Sequence, residues 1–215
     1  MKNFELTVLI FPLLLALTGV GCSQADSQEY EERRTKRKQL EARIMSNGVQ
    51  VGDQVPAVQI HELDGKEINL ASLWADKPVV IIAGSMTCGI SRKRCANHKF
   101  KNFPVPPSVS MVMLYTIEAH PDGKGYRQPP SPDRPRTMRS QPETLDERLK
   151  LATEMSGVVT ALPIVVDNMD NDGWKIMGSG PNVAVLVDTD GKGLLKQPFF
   201  DVEAMSDFIK ERFKP

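Results

Sequence analysis

The run Pro78-Val79-Val80-Ile81-Ile82-Ala83-Gly84 constrains this chain more than any other segment. It is apolar without alternation and rich in β-branched residues. That is the pattern of a strand covered on both faces, hence an interior strand of an α/β sheet. Ser85-Met86-Thr87-Cys88 closes the run, and residues 89–103 pattern as a helix. Strand, tight turn and helix in that order put Cys88 at the exposed end of a central strand, with helix amides directed at its sulfur. Those amides and the aligned helix dipole favour a thiolate, which predicts a Cys88 pKa below about 8.5.

The rest of the folded part is consistent with such a sheet. Residues 55–60 alternate as a short strand, Asp64-Gly65 is a hairpin signal, and 70–74 make a helical turn. Residues 111–117 form a second buried strand, and 143–155 a helix with Leu145, Leu149 and Ala152 on one side. Short strands follow at 163–167 and 183–187, then a closing hairpin and a terminal helix over 202–213. Strands alternating with helices predict an α/β fold, a central mixed sheet flanked by helices on both faces. Residues 119–142 break the pattern with Pro121, Pro129, Pro130, Pro132, Pro135 and Pro142. Proline removes backbone donors, so no regular element crosses this stretch, and a loop so long in a compact domain points to function or disorder.

The N-terminus reads as a targeting segment. Residues 1–21 hold Lys2, an apolar stretch too short for a comfortable membrane span, and small residues before Cys22. Cys22 followed by Ser23-Gln24-Ala25-Asp26-Ser27 resembles a bacterial lipoprotein signal with Cys22 lipidated; simple secretion and an uncleaved anchor are the alternatives. All three place the domain outside the reducing cytosol; the expected location is the cell envelope, facing the periplasm or exterior and bound to the membrane through a lipid anchor. Residues 22–50 are a charged tether or helix, and 51–215 the domain, with 119–142 inserted. The 27 basic and 27 acidic side chains balance, so charge gives no argument for nucleic acid.

Chemistry centres on thiols. With Cys22, Cys88 and Cys95 the chain cannot build a disulfide scaffold, and no metal site is expected. Without a glycine-rich phosphate loop, the expectation is cofactor-free. Thr87 is placed to donate its hydroxyl to the sulfur and Arg92 to add positive charge, with Ser85 in the same turn. Cys95, two helical turns along, lies about 10 Å of rise from Cys88, beyond disulfide reach unless the helix unwinds. It reads as a resolving cysteine, an inert one or an intermolecular one. Glu118 and His120 share one side of the next strand end by period two, where His120 can shuttle a proton and Glu118 can orient it. Pro181 precedes a buried strand where a cis bond would bring backbone groups beside the cysteine helix. Tyr126 is a candidate pocket residue.

These residues resemble the thioredoxin-fold redoxins of peroxiredoxin- and TlpA-like type, through Gly52-Asp53, Leu63-Asp64-Gly65-Lys66, Gly84-Ser85-Met86-Thr87-Cys88 and residues 178–191. Within them the chain is similar to the iodothyronine deiodinases and their bacterial relatives. The carriers are Tyr115-Thr116-Ile117-Glu118-Ala119-His120-Pro121-Asp122-Gly123, Leu145-Asp146-Glu147-Arg148-Leu149, Pro163-Ile164-Val165-Val166-Asp167-Asn168-Met169 and Asn171. The resemblance spans about 52–212. It implies a thioredoxin-like fold and a nucleophile at Cys88 in the place of selenocysteine. Thr87 would be its neighbour, and Glu118 and His120 would bind substrate and transfer protons. Gln141-Pro142 stands where the family has a histidine, and Asn182-Val183 where an arginine follows the proline. The expected function is an extracytoplasmic thiol oxidoreductase acting on peroxide or disulfide substrates and recharged by an external thiol or thioredoxin-like partner. Reductive dehalogenation of iodothyronine-like aromatics is one alternative, a non-catalytic binding or assembly module another.

Overall fold

The computed structural model describes residues 24–96, 106–122 and 139–213. The leader, Cys22, Tyr126, residues 97–103 of the expected cysteine helix and most of the proline-rich loop lie outside them. The chain divides into two compact units, Met1–Arg37 and Lys38–Pro215. Helix α1 (Gln24–Ser46) crosses that division. In the first unit its described side chains are exposed, and it is laced by pairs such as Arg34–Glu31 at 3.6 Å and Lys36–Glu32 at 3.8 Å. A helix polar all round draws on such pairs, each worth only a few tenths of a kcal/mol, roughly 0.3–0.5.

The second unit is built on a 7-stranded sheet. Its strands are β1 (Gln59–His61), β2 (Glu67–Asn69), β3 (Val79–Gly84), β4 (Ser110–Tyr115), β5 (Ile164–Asp167), β6 (Ala184–Val187) and β7 (Gly193–Gln197). The spatial order is β2-β1-β5-β4-β3-β6-β7. Strands β3, β4 and β5 are parallel neighbours, and β6 pairs antiparallel with β3 and with β7. Gly65 turns the β1–β2 hairpin with φ +87°, a conformation that favours glycine, and Lys66 N–H donates to Asp64 Oδ1 at 2.9 Å.

The helices of this unit are α2 (Gly89–Ala96), α3 (Leu145–Val158), α4 (Asp172–Met177) and α5 (Val202–Arg212). Period two along β3 sorts the core. Val80 and Ile82 face Cys95 of α2, Ala152 and Met155 of α3, and Met205 and Ile209 of α5. Val79, Ile81 and Ala83 face the other layer, with Met177 of α4, Trp74 and Ile44. Strand, helix, parallel strand, then an antiparallel hairpin and a closing helix make a thioredoxin-like α/β fold. Covered on both faces, β3 has no reason to alternate.

Two differences from the sequence reading stand out. Strand β4 stops at Tyr115 rather than running to Ile117. The compact unit also begins at Lys38, inside the stretch read as a charged tether or helix. Ile44 is the reason: it is 0% exposed at the end of a charge-rich helix, and Leu40, one turn earlier, packs against the same core. The backbone beneath it is bare. A Cβ on Gly180 would meet Ile44 Cδ1 at 2.8 Å, and Gly178, at φ +106°, would meet the Ile44 carbonyl at 2.6 Å. Lys196 Nζ donates to the Asn47 carbonyl just past the helix end.

Ile44→Ala is therefore expected to destabilise the domain by about 2–5 kcal/mol, measured by urea unfolding. Arg34→Ala should stay within about 0.5 kcal/mol of wild type. Equal effects would remove the end of α1 from the core.

Candidate active site

The parallel register pairs Gly84 with Tyr115, so β3 and β4 end level and the chains leaving them run side by side. The N–H of Thr116 donates to the Gly84 carbonyl at 2.9 Å, extending the contact past the strand. From there the two turns are fastened residue by residue. Met86 N–H donates to the Tyr115 hydroxyl oxygen at 3.1 Å, and Thr87 N–H to Glu118 Oε2 at 2.7 Å. Ala119 N–H donates to Ser85 Oγ at 3.2 Å, and His120 N–H to Thr87 Oγ1 at 3.0 Å. The Tyr115 hydroxyl donates to Glu118 Oε1, and Glu118 N–H donates to Gln141 Oε1 at 3.1 Å.

Glu118 and His120 thus come together with Thr87 and Ser85, but not as one face of a strand. They sit in the turn after β4, and His120 engages Thr87 through its backbone N–H. The Thr87 hydroxyl accepts from His120, while the sulfur's donor at 3.4 Å is the N–H of Ser91. Cys88 occupies the N-cap position of α2: its carbonyl takes the first helical hydrogen bond, from Arg92 N–H at 3.1 Å.

Cys88 is not at an exposed strand end. It is 2% exposed, packed under the β4 turn and against α2. Burial pushes its thiol pKa up, against the expectation of a lowered one. Hydrogen bonds from Ser91, the Ile90 amide and the charge of half-buried Arg92 work the other way, and desolvation outweighs them. The polar neighbours that suggested exposure spend their polar groups on the β4 turn and on the Pro181 carbonyl. Burial, then the adjacent Glu118 carboxylate, holds the Tyr115 phenol protonated well above its usual range.

Cys95 lies in the core beneath β3, and burial, with Cys88 adding to it, pushes its pKa up to about 12. Both thiols are free. Pro181 is reached through a trans bond, not a cis one. It nevertheless meets the cysteine helix, its carbonyl accepting from Ser91 Oγ at 3.2 Å. Tyr126 lies outside the described residues. Among those residues no group of three or more His, Cys, Asp or Glu side chains is arranged to hold a metal.

Sequence reasoning missed Ser91 in this neighbourhood, and noted Gln141 and Asn182 only as departures from the pattern of the family it resembles. Tyr115 was legible only as part of a motif. Gln141 is separated from Glu118 by the whole proline-rich loop.

No protein-family model matches the chain, and no curated protein matches it. Solved structures are similar at low identity. A thiol:disulfide interchange protein from Bacteroides sp. is 16% identical with a TM-score of 0.49, over 78% of this chain and 92% of that one. A peroxidoxin from Mycobacterium tuberculosis is 16% identical with a TM-score of 0.48, over 75% and 94%. The exposed lipoprotein thioredoxin of Streptococcus pneumoniae is 17% identical with a TM-score of 0.44, over 73% and 99%. At such identities the likeness is one of fold alone.

The buried thiols make stability pH-dependent with a definite sign. Their folded pKa values lie above the unfolded value of about 8.5, so the unfolded chain loses protons first as pH rises. Stability is intact below about pH 8.5 and falls above it, by up to about 1.4 kcal/mol per pH unit for each thiol. For Cys95 the fall continues to about pH 12. Cys95→Ala should flatten part of that alkaline slope in urea unfolding between pH 8 and about 10; an unchanged slope would show that the thiol is not desolvated.

Proposed function

We propose that this chain is a thiol-dependent oxidoreductase of the redoxin class, with Cys88 as its nucleophile and peroxides or disulfides as its substrates. The observation that carries the reading is the convergence on one thiol-bearing turn of the Thr87–Glu118 and Thr87–His120 hydrogen bonds with the Ser91 N–H on the sulfur. A merely structural cysteine needs no buried carboxylate two atoms of backbone away; Glu118 is 3% exposed.

In this reading Glu118 and Tyr115 fix the Ser85–Thr87 turn, so Cys88 is presented at the start of α2 with helix amides on its sulfur. The thiolate attacks one oxygen of a peroxide, the O–O bond breaks, a sulfenic acid forms, and the hydroxide or alkoxide expelled takes up a proton to leave as water or an alcohol. With a disulfide it attacks one sulfur, forming a mixed disulfide and expelling the other as a thiol. An external thiol or thioredoxin-like partner then restores Cys88. Cys95 is not the internal partner in this reading, because seven residues of helical rise set its backbone position about 10 Å along α2 from that of Cys88. His120, in the same turn, is the candidate proton carrier for the leaving group.

Reductive dehalogenation is a second reading, supported by the deiodinase-like Tyr115–Gly123 motif, whose Tyr115, Glu118 and His120 all bear on the cysteine turn. Sequence supports a cell-envelope setting with Cys22 lipidated. No described helix is long and apolar enough to cross a membrane.

Brief peroxide treatment followed by mass spectrometry is expected to find sulfenic acid on Cys88 and no Cys88–Cys95 disulfide. Cys88→Ser should abolish turnover, and Cys95→Ala should retain it. Glu118→Gln removes a charged acceptor from a buried N–H, and should slow Cys88 oxidation by roughly tenfold or more. An unreactive Cys88 in the wild-type protein would leave the binding-module reading in its place.

A further inference from the structure

The β6 side of Cys88 carries contacts that the mechanism above leaves unused. Ser91 and Asn182 are both fully buried. Asn182 Nδ2 donates to the Ala83 carbonyl at 3.3 Å and to Ser91 Oγ at 3.2 Å. A carbonyl oxygen only accepts, so the Asn182 amide has one allowed orientation, with its NH2 toward Ala83. Its Oδ1 is left without a partner. That cost is tolerated where turning the amide round would set two oxygens against each other. With Asn182 donating to it, the Ser91 hydroxyl keeps its own hydrogen for another acceptor. Two lie within reach. One is the Pro181 carbonyl at 3.2 Å; the other is the Cys88 sulfur, which lies 3.4 Å from the Ser91 N–H and whose pKa the Ser91 side chain works to lower.

We propose that Ser91 is a catalytic residue of the Cys88 site and Asn182 its positioning residue: the Ser91 hydroxyl donates to the Pro181 carbonyl while Cys88 is a thiol, and turns onto the sulfur when the thiolate forms. A thiol sulfur is a weak acceptor and loses to a carbonyl. A thiolate accepts a charge-assisted bond, roughly twice as strong as a neutral one, and wins. Only the S–H bond breaks, and its proton leaves to solvent. The switch supplies a donor that appears with the charge, in a site where burial otherwise holds the thiol protonated. The inference rests on the nucleophile role proposed for Cys88.

Other charged or titrating groups face the sulfur or its turn from both neighbouring elements. Arg92 and Cys95 do so on α2, and Tyr115, Glu118 and His120 through Met86 and Thr87 on the β4 side. The Pro181–Asn182 segment brings no charge, so substitutions there leave that background in place.

The test is titration of the Cys88 thiolate by ultraviolet absorbance in a Cys95→Ala background, together with alkylation rates, in the full domain. Ser91→Ala is expected to move the titration up by about one pH unit and to slow alkylation near pH 8 about tenfold. Asn182→Ala should move it in the same direction by less. The double variant should match Ser91→Ala alone, because Asn182 acts only through the hydroxyl. A Ser91→Ala titration superimposing on wild type, with circular dichroism unchanged, overturns the proposal while leaving a reactive Cys88 intact. So does a double variant whose shift is the sum of the two. If Ser91→Ala does not fold, Asn182→Ala decides alone, and an unshifted titration overturns it. A Cys88 inert to alkylation at every pH overturns the nucleophile reading and this inference together.

Discussion

The level ending of two parallel strands governs everything around Cys88. Because Gly84 pairs with Tyr115, the turn that follows each strand is delivered against the other. The Ser85–Thr87 turn is too short to satisfy its own N–H groups, and burial denies them water. Each amide left unpaired would cost about 1–3 kcal/mol. Tyr115 and Glu118 take two of them, and the Ala119 and His120 N–H groups return the favour to Ser85 and Thr87. The clasp is reciprocal, so neither turn keeps its shape without the other. Gln141 extends it across the base of the proline-rich loop by accepting from Glu118 N–H, where Asp122 N–H also donates to the Arg139 carbonyl at 2.9 Å.

The same clasp sets a conflict between order and reactivity. Packing the turn under β4 removes Cys88 from water, and desolvation of a thiolate is the largest influence on it. The helix start, Arg92 and Ser91 oppose that influence without overcoming it in the closed arrangement. If Cys88 is the nucleophile proposed above, reaction requires a substrate that displaces part of the cover, or a local opening of the first turn of α2. Local openings cost less than global unfolding where few backbone bonds hold the segment. Arg92 N–H to the Cys88 carbonyl and Ser91 N–H to its sulfur fasten the entry to that turn.

Much of the fold was legible because its signals are local. The unbroken apolar run of β3, the Asp64-Gly65 turn and the amphipathic face of α3 each state their structure within a few residues. The burial of Ile44 was not legible, since it sits with Leu40 in an otherwise charged helix and is explained by bare glycines more than a hundred residues away. The Cys88–Glu118–His120 neighbourhood was legible from strand order, which puts adjacent parallel strand ends together. The form it takes was not. Period two predicted a shared strand face, whereas the chain leaves β4 at Tyr115 and presents a carboxylate and a backbone N–H from a turn. Cys88 misled for a related reason. Polar flanks ordinarily mean water, but here Ser85, Thr87 and Ser91 find partners in the β4 turn and the Pro181–Asn182 segment, which no local pattern reveals.

The two sides of the cysteine are chemically unlike, and that asymmetry separates their tasks. The β4 side carries Glu118, Tyr115 and His120, groups able to hold charge or pass a proton, and it grips the backbone of the turn. The β6 side offers only an amide, a hydroxyl and a carbonyl, and it reaches the sulfur itself through Ser91. A carboxylate placed directly against the sulfur would oppose its ionisation. Set one residue back, on the Thr87 N–H, the same carboxylate orders the turn without facing the thiolate. In the nucleophile role proposed for Cys88, neutral donors beside the sulfur stabilise the anion while adding no charged group whose own burial must be compensated.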